Sequence, residues 1–458
     1  MDNVVKYVKL DQEKIDLLYK LKIDDPYRTQ GRIPTSGMSE GDYPSPDALG
    51  VSIFPRVWHH SFPQELKDQF KHIQSNFATG LLPTISRAWM AIDSDLFLWN
   101  FEANRDLAYY DGISNTILAV DVVMPKAGFT MPDMHCILVV VTTCDVVLLA
   151  ISFRDEAGKS FAPNFKDFKN SDTYLLGDPI FKVHLEGVIV SHVCCTNNGR
   201  IFFGAEDNLY EIEYYGKSWF GGKSCKKVNH SKSLLNYIVP MLSIFHSKDE
   251  IRQIEIDDTR HILYVLTIKG TIQIFDLGTD GKSVSRFGAV SRDQIESWAL
   301  QACSVTPEFF KKLLASQLFL SLEAPVEYTQ DHMRPTVIKI IHVRFPPNDL
   351  NFNIYSAYYS KDTVLMGSGH NMETSLWSLS SSNYPFCSRL IENGAELPIR
   401  GNIWKIAKGV DHCVCKQQDP FVLPSIELPL VAEQHNISFE KFFILTSEVA
   451  FSSFFGTI

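Results

Sequence analysis

The sequence predicts an all-β protein built as a β-propeller. Three observations on its 458 residues support this prediction. A unit of two β-rich runs joined by a polar tip recurs along the chain, the composition of 45% hydrophobic and 21% charged residues is that of a globular protein, and no apolar run approaches the length of a membrane span. Radially arranged sheets leave only short edges, whereas a sandwich of this many strands would expose long ones.

The recurring unit has the pattern of a β-hairpin. Its third copy shows this clearly, because Tyr210, Ile212 and Tyr214 alternate with Glu211 and Glu213, as in a strand that is buried on one face. The six predicted hairpins lie at residues 95–112, 137–152, 200–215, 261–278, 363–377 and 441–456.

The chain is predicted to divide into an arm and a propeller domain. Residues 1–60 are expected to form a flexible N-terminal arm, because Pro, Gly, Ser and Asp are frequent between residues 24 and 50. Residues 61–458 are expected to form the propeller. A short amphipathic helix that binds a partner is predicted in the arm from three apolar residues near helical spacing: Ile15, Leu18 and Leu21.

Two helical segments are predicted to accompany the strands. At residues 62–77, apolar side chains recur at steps of four, three and four after Pro63, a residue type common in the first turn of a helix. At about residues 293–316 the strand pattern is interrupted by a helical insertion, with Thr306 and Pro307 as a natural break between two helices.

Charge and cysteine usage exclude several classes of protein. The formal charge of −10 argues against a general nucleic-acid binder, which needs a surplus of Lys and Arg on one face. Nine cysteines without regular spacing are poor material for a disulfide framework and favour a reducing compartment. The C-x-C at Cys413 and Cys415 has no second pair at zinc-site spacing, so no metal site is expected.

No catalytic centre is predicted. The sequence has neither a G-x-x-x-x-G-K nor an H-E-x-x-H motif, so we expect neither an enzyme nor a bound cofactor. His59 and His60 lack an acidic or cysteine neighbour and are interpreted as surface or packing residues. Asp93 and Asp95 are expected to accept hydrogen bonds from turn amides rather than to act as a catalytic pair.

Long runs of the sequence resemble one family of proteins, the non-FG inner-ring scaffold nucleoporins of the hundred-and-fifty-five or hundred-and-seventy kilodalton class. The resemblance is strong between about residues 60 and 290, weakens beyond that, and reappears at residues 441–448, which resemble the closing hairpin. The runs that carry it include TISRAWMAIDSDLFLWNFE, MPKAG, NNGRIFFGAEDNLYEIEYY, CKKVNHSKSLLNYIVPML and DTRHILYVLTIKGTIQIFDLG.

The resemblance implies a fold and a function. The expected fold is a seven-bladed β-propeller, followed in full-length members by an α-helical solenoid, which is expected to begin where this chain ends, at Ile458. The expected function is that of a structural scaffold in the inner ring of the nuclear pore complex, contributing to pore assembly and to nucleocytoplasmic transport of protein and mRNA. The implied location is the nuclear envelope, peripheral to the membrane. The implied partners are other inner-ring nucleoporins and the curved nuclear membrane, with neither sequence-specific nucleic acid nor a small-molecule substrate.

Two other classes remain open from the residues alone. A propeller adaptor of a vesicle coat or a ubiquitin ligase would share the architecture and differ only in its partners. A substrate-binding propeller enzyme would need polar and acidic side chains that converge on the central channel.

Residues 217–246 are a candidate membrane-binding loop. No acidic residue lies between Glu213 and Asp249, and an apolar helical face follows a group of lysines. In the family, the matching loop resembles an amphipathic lipid-packing sensor. Each lysine near an anionic surface adds about 1 kcal/mol to binding. Alternatively, the apolar part packs under the propeller, with Pro240 breaking it and the lysines forming a solvated rim. The candidate membrane-binding residues are Leu234, Leu235, Tyr237, Ile238, Leu242, Phe245, Lys226, Lys227 and Lys232.

Overall fold

A computed structural model describes two compact units of the chain. One unit comprises Met1–Phe62, Trp298–Leu322 and Ile340–Ile458, and the other comprises Pro63–Ser297 and Glu323–Lys339. The described residues are 35–36, 57–103, 105–162, 168–216, 224–231, 249–258, 260–303, 319–323, 326–328, 333–335, 339–344, 353–360, 363–370, 373–381, 392–409 and 440–455.

The described elements are almost all strands. Two α-helices are present in this part of the chain, α1 (Gln64–Gln69) and α2 (Arg292–Cys303), with short 3₁₀ turns at Phe70–His72, Pro83–Ile85 and Phe168–Asn170. In chain order the strands are β1 (Thr35–Ser36), β2 (Val57–Ser61), β3 (Phe77–Leu82), β4 (Arg87–Ile92), β5 (Asp95–Asn100), β6 (Arg105–Tyr110), β7 (Ile117–Val123), β8 (Cys136–Thr142), β9 (Asp145–Arg154), β10 (Asp172–Leu175), β11 (Phe181–His184), β12 (Val190–Cys195), β13 (Ile201–Ala205), β14 (Asn208–Tyr215), β15 (Ser224–Asn229), β16 (Ile251–Asp257), β17 (Ile262–Thr267), β18 (Ile272–Asp276), β19 (Ser285–Val290), β20 (Phe319–Glu323), β21 (Val326–Tyr328), β22 (Met333–Pro335), β23 (Lys339–Arg344), β24 (Asn353–Ser360), β25 (Thr363–His370), β26 (Glu373–Ser381), β27 (Glu392–Ile399), β28 (Ile403–Lys408), β29 (Glu440–Thr446) and β30 (Val449–Phe455).

The unit that begins at Pro63 is a series of antiparallel sheets formed by consecutive strands. The first sheet has the order β3-β4-β5-β6, the second β10-β9-β8-β7, the third β12-β13-β14-β15 and the fourth β16-β17-β18-β19. In each sheet, the strand that comes first in the chain contacts the corresponding strand of the next sheet: β3 contacts β7, β7 contacts β12, and β12 contacts β16. A separate hairpin of β21 and β22 belongs to the same unit.

The core of this unit lies between successive sheets. Every residue of β8 is buried, because its two faces pack in different directions. One face, with Leu138 and Val140, joins a cluster with β4 and β5 of the first sheet. The other face, with Val139 and Val141, joins a cluster with β13 and β14 of the third. Such alternation stacks sheet on sheet, as in a propeller.

The other unit contains a sheet in which a strand near residue 60 pairs with the last described strand of the chain. Strand β2 pairs antiparallel with β30 in the order β2-β30-β29-β28, beside a second sheet of β24 to β27. Leu365 and Leu376 of that second sheet pack with Phe442 and Ile444 of the first. A third sheet has the order β1-β23-β20. The boundary predicted at residue 60 therefore falls inside β2, since local composition carries no sign of a partner almost 400 positions later in the chain (Trp58 pairs with Ser452).

The prediction of an all-β propeller is confirmed, but the prediction of seven blades is wrong. Five sheets in the described part of the chain have four strands, and the others have five, three and two. The fifth strand arises because β10 and β11 both pair with β9. Between them lie Gly177 and Pro179, and a proline has no amide hydrogen to continue the ladder.

The local predictions can be compared with the strands directly. All six predicted hairpins form antiparallel pairs of neighbouring strands. The helix predicted at residues 62–77 is shorter, because α1 ends at Gln69 and Phe77 begins β3. The insertion predicted at residues 293–316 contains α2, and its part after Cys303 lies outside the described residues.

Candidate functional site

A cleft of about 840 Å³ opens at one end of the second, third and fourth sheets of the Pro63 unit. It is lined by the loops β7–β8, β12–β13 and β18–β19 and by the end of β14 with Gly216. In an antiparallel sheet these connections lie at the same end, which explains why loops from three sheets meet. The lining side chains that this site depends on are Lys126, Phe129, Arg200, Glu211, Tyr214 and Tyr215.

The back of the cleft is a buried ion pair. Arg200 precedes β13, and its Nε and Nη2 donate to the two carboxylate oxygens of Glu211 on β14, at 2.8 and 2.6 Å. Its Nη1 donates to the carbonyl oxygens of Gly281 and Ser283 in the following sheet, at 2.9 and 2.8 Å. Arg200 therefore fastens the third sheet to the fourth.

The Glu211 carboxylate is held ionised. Burial alone would raise the pKa of this carboxyl, but hydrogen bonds from Arg200 and His230 outweigh burial and lower the pKa to about 2. His230 Nε2 lies 2.9 Å from Glu211 Oε2. Because the carboxylate accepts from both groups, it is a structural counter-charge rather than a proton-transfer group.

The front of the cleft carries a lysine on two tyrosine rings. Lys126 Nζ lies 4.8 Å from the ring centre of Tyr214 and 5.7 Å from that of Tyr215. Burial lowers the pKa of Lys126. Among the described residues, this ammonium group has no ion-pair partner and donates no hydrogen bond.

A glycine holds Lys126 in this position. The Lys126 amide donates to the Tyr214 hydroxyl at 3.2 Å, and that hydroxyl donates to the carbonyl oxygen of Gly199 at 2.8 Å. Gly199 has a φ of +94°, and a Cβ atom there would lie 2.8 Å from the Lys126 amide nitrogen. Only glycine fits this close approach without displacing the lysine.

A second buried arginine occupies an equivalent place in the first sheet. Arg87 begins β4 and is fully buried. It donates to the carbonyl oxygens of Phe168 and Ser171, at 2.9 and 2.6 Å, and to the hydroxyl of Thr173, at 2.8 Å. Phe168 and Ser171 lie just before β10, the outer strand of the second sheet, and Thr173 lies in β10. The carbonyl partners of Arg200 likewise lie just before β19, the outer strand of the fourth sheet. No cleft residue contributes to this second site.

Two residues of the predicted membrane-binding set, Lys226 and Lys227, are among the described residues, and each forms an ion pair with a glutamate. Lys226 lies directly opposite Glu213 and forms an ion pair of 2.8 Å. Lys227 forms an ion pair of 2.9 Å with Glu186 and donates to the carbonyl oxygen of Leu185. Neither lysine is a free cation, because Glu213 on the paired strand and Glu186 in the loop before β12 lie outside the segment whose charges were counted.

The remaining predicted site residues lie outside the described residues. In the membrane-binding set these are Leu234, Leu235, Tyr237, Ile238, Leu242, Phe245 and Lys232, and in the arm they are Ile15, Leu18 and Leu21. Cys413 and Cys415 also lie outside them. In the described part of the chain, no helix is long and apolar enough to span a bilayer, and no three His, Cys, Asp or Glu side chains are grouped to hold a metal.

The interpretation of Asp93 is supported by its contacts. Its carboxylate accepts hydrogen bonds from the amides of Gln74, Ser75 and Asn76, at 3.0, 2.8 and 2.8 Å. These bonds, led by that from the Ser75 hydroxyl, hold the pKa of Asp93 far below its usual range.

The sequence reasoning missed Lys126, Arg200 and Glu211 as site residues. A signal was present, because Arg87 and Arg200 each follow a residue of positive φ and precede an apolar strand. A cation placed directly against such a strand indicates burial with a partner.

Comparisons with known proteins agree on one family. The family model described as Nup133 N terminal like matches residues 56–316. The nuclear pore complex protein Nup154 of Drosophila melanogaster is 31% identical over 442 residues, which cover 82% of this chain and 32% of that protein. Nucleoporin NUP170 of Chaetomium thermophilum is 28% identical over 365 residues, with 72% of this chain and 25% of that protein covered. The chain thus spans about a third or less of the length of these relatives.

A solved structure shares the fold. The crystal structure of a Chaetomium thermophilum Nup170 NTD–Nup53 complex matches with a TM-score of 0.66 at 21% identity, covering 93% of this chain and 64% of that chain. This likeness supports the propeller-type fold. Because the family model covers more than half of the sequence, the chain belongs to the nucleoporin family described as Nup133 N terminal like.

Proposed function

We propose that this chain is a structural scaffold component of the inner ring of the nuclear pore complex, located at the nuclear envelope and bound to other nucleoporins. The observation that carries the proposal is the match of residues 56–316 to a nucleoporin family, together with relatives named as nuclear pore proteins. The proposed role is one of binding rather than catalysis and uses no cofactor, small-molecule substrate or sequence-specific nucleic acid.

The buried charged side chains make contacts within the chain, which is what a scaffold protein requires of them. Arg87 and Arg200 each bond to carbonyl oxygens of a neighbouring sheet, so their charges hold sheets together. The Glu211 carboxylate is likewise engaged by Arg200 and His230. Groups fixed in this way are poorly suited to exchange protons with a substrate.

Localisation and co-purification test the scaffold role. The full chain, tagged in cells, is expected at the nuclear rim and in one complex with other nucleoporins. Replacing the arm residues Ile15, Leu18 and Leu21 with Asp is expected to weaken that co-purification. The matched control is Ile189→Asp, which charges an isoleucine that is 72% exposed in the Pro63 unit. Co-purification with vesicle-coat or ubiquitin-ligase subunits instead of nucleoporins would refute the proposal.

The scaffold is further proposed to touch curved nuclear membrane through residues 231–245. The support is the apolar face of Leu234, Leu235, Ile238 and Phe245 in a stretch without acidic residues. Since Lys226 and Lys227 already have glutamate partners, apolar insertion is expected to supply most of the binding free energy.

Flotation with small vesicles of phosphatidylcholine and phosphatidylserine tests this contact. The full chain is expected to float, and the double variant Leu235→Asp, Ile238→Asp is expected to stay with the soluble fraction. The matched control is Ile268→Asp, which charges an exposed isoleucine of the β17–β18 turn. Raising the salt concentration is expected to reduce flotation only partly, because screening weakens the lysine contribution but not apolar insertion. Undiminished flotation of the double variant would end the proposal.

A further inference from the structure

We infer that the cleft around Lys126 is a docking site for an acidic segment of a partner protein. A carboxylate of the partner would pair with the Lys126 ammonium group, and a neighbouring apolar side chain would pack against the exposed ring of Tyr215. The inference deepens the proposed scaffold function and rests on it, because a scaffold works through such docking sites.

The first argument is the state of Lys126. Its ammonium group is partly buried over two aromatic rings, and burial lowers its pKa. Desolvating a cation is unfavourable unless an anion or several acceptors compensate for the lost water. Glu211 and Glu213 offset part of this burial, but neither forms an ion pair with Lys126 in the described structure, since they are paired with Arg200 and Lys226. A carboxylate from outside the chain would supply the missing counter-charge.

The second argument is that the acids of the cleft are already engaged. Glu211 is held by Arg200 and His230. Glu213 is paired with Lys226, which projects from the neighbouring strand β15. Asp280 pairs with Lys282 at 3.5 Å and also accepts a hydrogen bond from the backbone amide of that residue.

The lining side chains carry three cations (Lys126, Arg200 and Lys282) and three carboxylates (Glu211, Glu213 and Asp280), but Glu213 is paired with Lys226 from outside the lining. Each lining carboxylate in the described structure has a cationic partner, and Lys126 is the cation left over. The complementary ligand is therefore an anion and not a cation.

The third argument is the shape and lining of the cleft. Its volume of about 840 Å³ is in the range of sites that take several connected groups rather than one ion. Tyr215 is 46% exposed, and Phe129 packs edge-on against Tyr214 at 5.1 Å between ring centres. A lysine beside an exposed aromatic ring fits a peptide in which Asp or Glu adjoins an apolar residue.

The site is also preformed. The hydrogen bonds from Lys126 to Tyr214 and from Tyr214 to Gly199 fix the loop that carries the lysine, and Arg200 fixes the back wall to the next sheet. A preformed site loses little conformational entropy when a ligand binds.

Selection from a phage-displayed library of short random peptides on the full chain tests the inference. The enriched peptides are expected to share an Asp or Glu next to an aromatic or aliphatic residue. Synthetic versions of them are expected to bind Lys126→Glu at least about tenfold more weakly, because the variant places like charges together. Lys126→Arg keeps the positive charge and is expected to retain most of the affinity.

Several variants keep the result interpretable. Lys126→Met keeps an alkyl side chain over the tyrosines and removes the charge, so it is expected to lose affinity without a lower unfolding temperature. Lys159→Glu, a charge reversal at an exposed lysine outside the cleft, is expected to bind like the wild type. A peptide with Lys in place of its acidic residue is expected to bind Lys126→Glu better than wild type.

The outcomes separate the docking site from the scaffold role. Enriched peptides without acidic residues, or equal binding by wild type and Lys126→Glu, would overturn the docking inference even where the chain reaches the nuclear rim. Binding only of phosphoserine versions would overturn the assignment of a carboxylate. Lysine-dependent binding by a chain that fails to reach the nuclear rim would sink the scaffold proposal and leave the cleft as a peptide site.

Discussion

Arg87 and Arg200 are buried arginines at equivalent positions in the first and third sheets of the Pro63 unit, but their charges are compensated in different ways. Each lies at the start of the second strand of its sheet and bonds to the loop before the outer strand of the following sheet. Beside Arg87 the acid makes a single, longer contact, because Asp106 Oδ2 lies 3.5 Å from Arg87 Nη2. Around Arg200 the acid is close and bidentate, with Glu211 at 2.6 and 2.8 Å.

The pKa values follow this geometry. At the first site burial dominates: it lowers the pKa of Arg87 to about 10 and raises that of Asp106. At the second site hydrogen bonding dominates burial and lowers the pKa of Glu211 to about 2. The first site is therefore held mainly by neutral carbonyl oxygens, and the second by an ion pair whose strength depends on pH.

The largest expected effect is that of Arg87→Met. The variant leaves the buried Ser171 carbonyl oxygen without its guanidinium donor and the Phe168 carbonyl oxygen with the Ser171 hydroxyl as its donor. It also removes the cation beside Asp106. We expect a loss of about 3–5 kcal/mol in the free energy of unfolding near neutral pH. Urea unfolding followed by tryptophan fluorescence measures it, with Trp89 and Trp99 in the same sheet as reporters.

Arg105→Met is the matched control for that variant. Arg105 lies in the first sheet as well, and its ion pair with Glu156 is solvent-exposed on the glutamate side. We expect this control to change the stability by less than about 1 kcal/mol. A loss at Arg87 as small as that at Arg105 would contradict the view that carbonyl bonds between the sheets stabilise this site.

A smaller and pH-dependent loss is expected for Arg200→Met. Without the guanidinium, burial is expected to raise the pKa of Glu211 above its ordinary 4.5. A raised pKa favours the folded protein at low pH, and that contribution is lost as the pH rises through the new value. We expect a deficit of about 2–3 kcal/mol near neutral pH that shrinks toward pH 4.

Unfolding of Arg200→Met and wild type in urea across that pH range checks the sign. A deficit that grows as the pH falls would show that Glu211 does not become the destabilising group. A deficit equal to that of Arg87→Met at every pH would remove the distinction between the two sites.

The comparison of the two arginine sites also shows which structural features local sequence patterns predict. Alternation along 200–215 was enough to predict the hairpin of β13 and β14, because a strand with one buried face has a period of two. Glu211 belonged to the polar half of that pattern, yet it is buried, because Arg200 brings its own charge to the same place. Pairing between side chains decided its position, and periodicity does not encode pairing.

The missed features of the fold have a similar cause. The pairing of β2 with β30 joins the ends of the chain, and the split of the outer strand into β10 and β11 depends on which residues follow Tyr174 into the ladder. The first is decided by a contact that is distant in sequence, whereas the second follows from Gly177 and Pro179, whose effect on the ladder the hairpin pattern did not include. The cleft around Lys126 was out of reach for the first of these reasons, because three sheets contribute to it.

The smallest expected effect separates the acid behaviour of the two sites. In the wild type the lowered pKa of Glu211 contributes stability that is present above pH 4.5 and is lost as the pH falls toward 2. His230→Phe removes one of the hydrogen bonds that lower this pKa, while the aromatic ring still faces Phe202. We expect a loss of about 1 kcal/mol at pH 7 and a shallower decline of stability between pH 4.5 and 2.

Thr173→Val is the matched variant at the other arginine. It removes the acceptor of Arg87 Nε and keeps the shape of the side chain. A loss of about 1 kcal/mol is expected at pH 7 here too. Because the Thr173 hydroxyl also lowers the raised pKa of Asp106, this loss is expected to shrink as the pH falls through the pKa of Asp106, which lies above that of Glu211. The urea midpoint of unfolding of each variant is measured at pH 7, 4 and 3. The same change of midpoint with pH in both variants would contradict the pH-dependent ion pair at Arg200. Different profiles would tie the acid sensitivity of the third sheet to Glu211, since both variants remove one hydrogen bond from a buried arginine site.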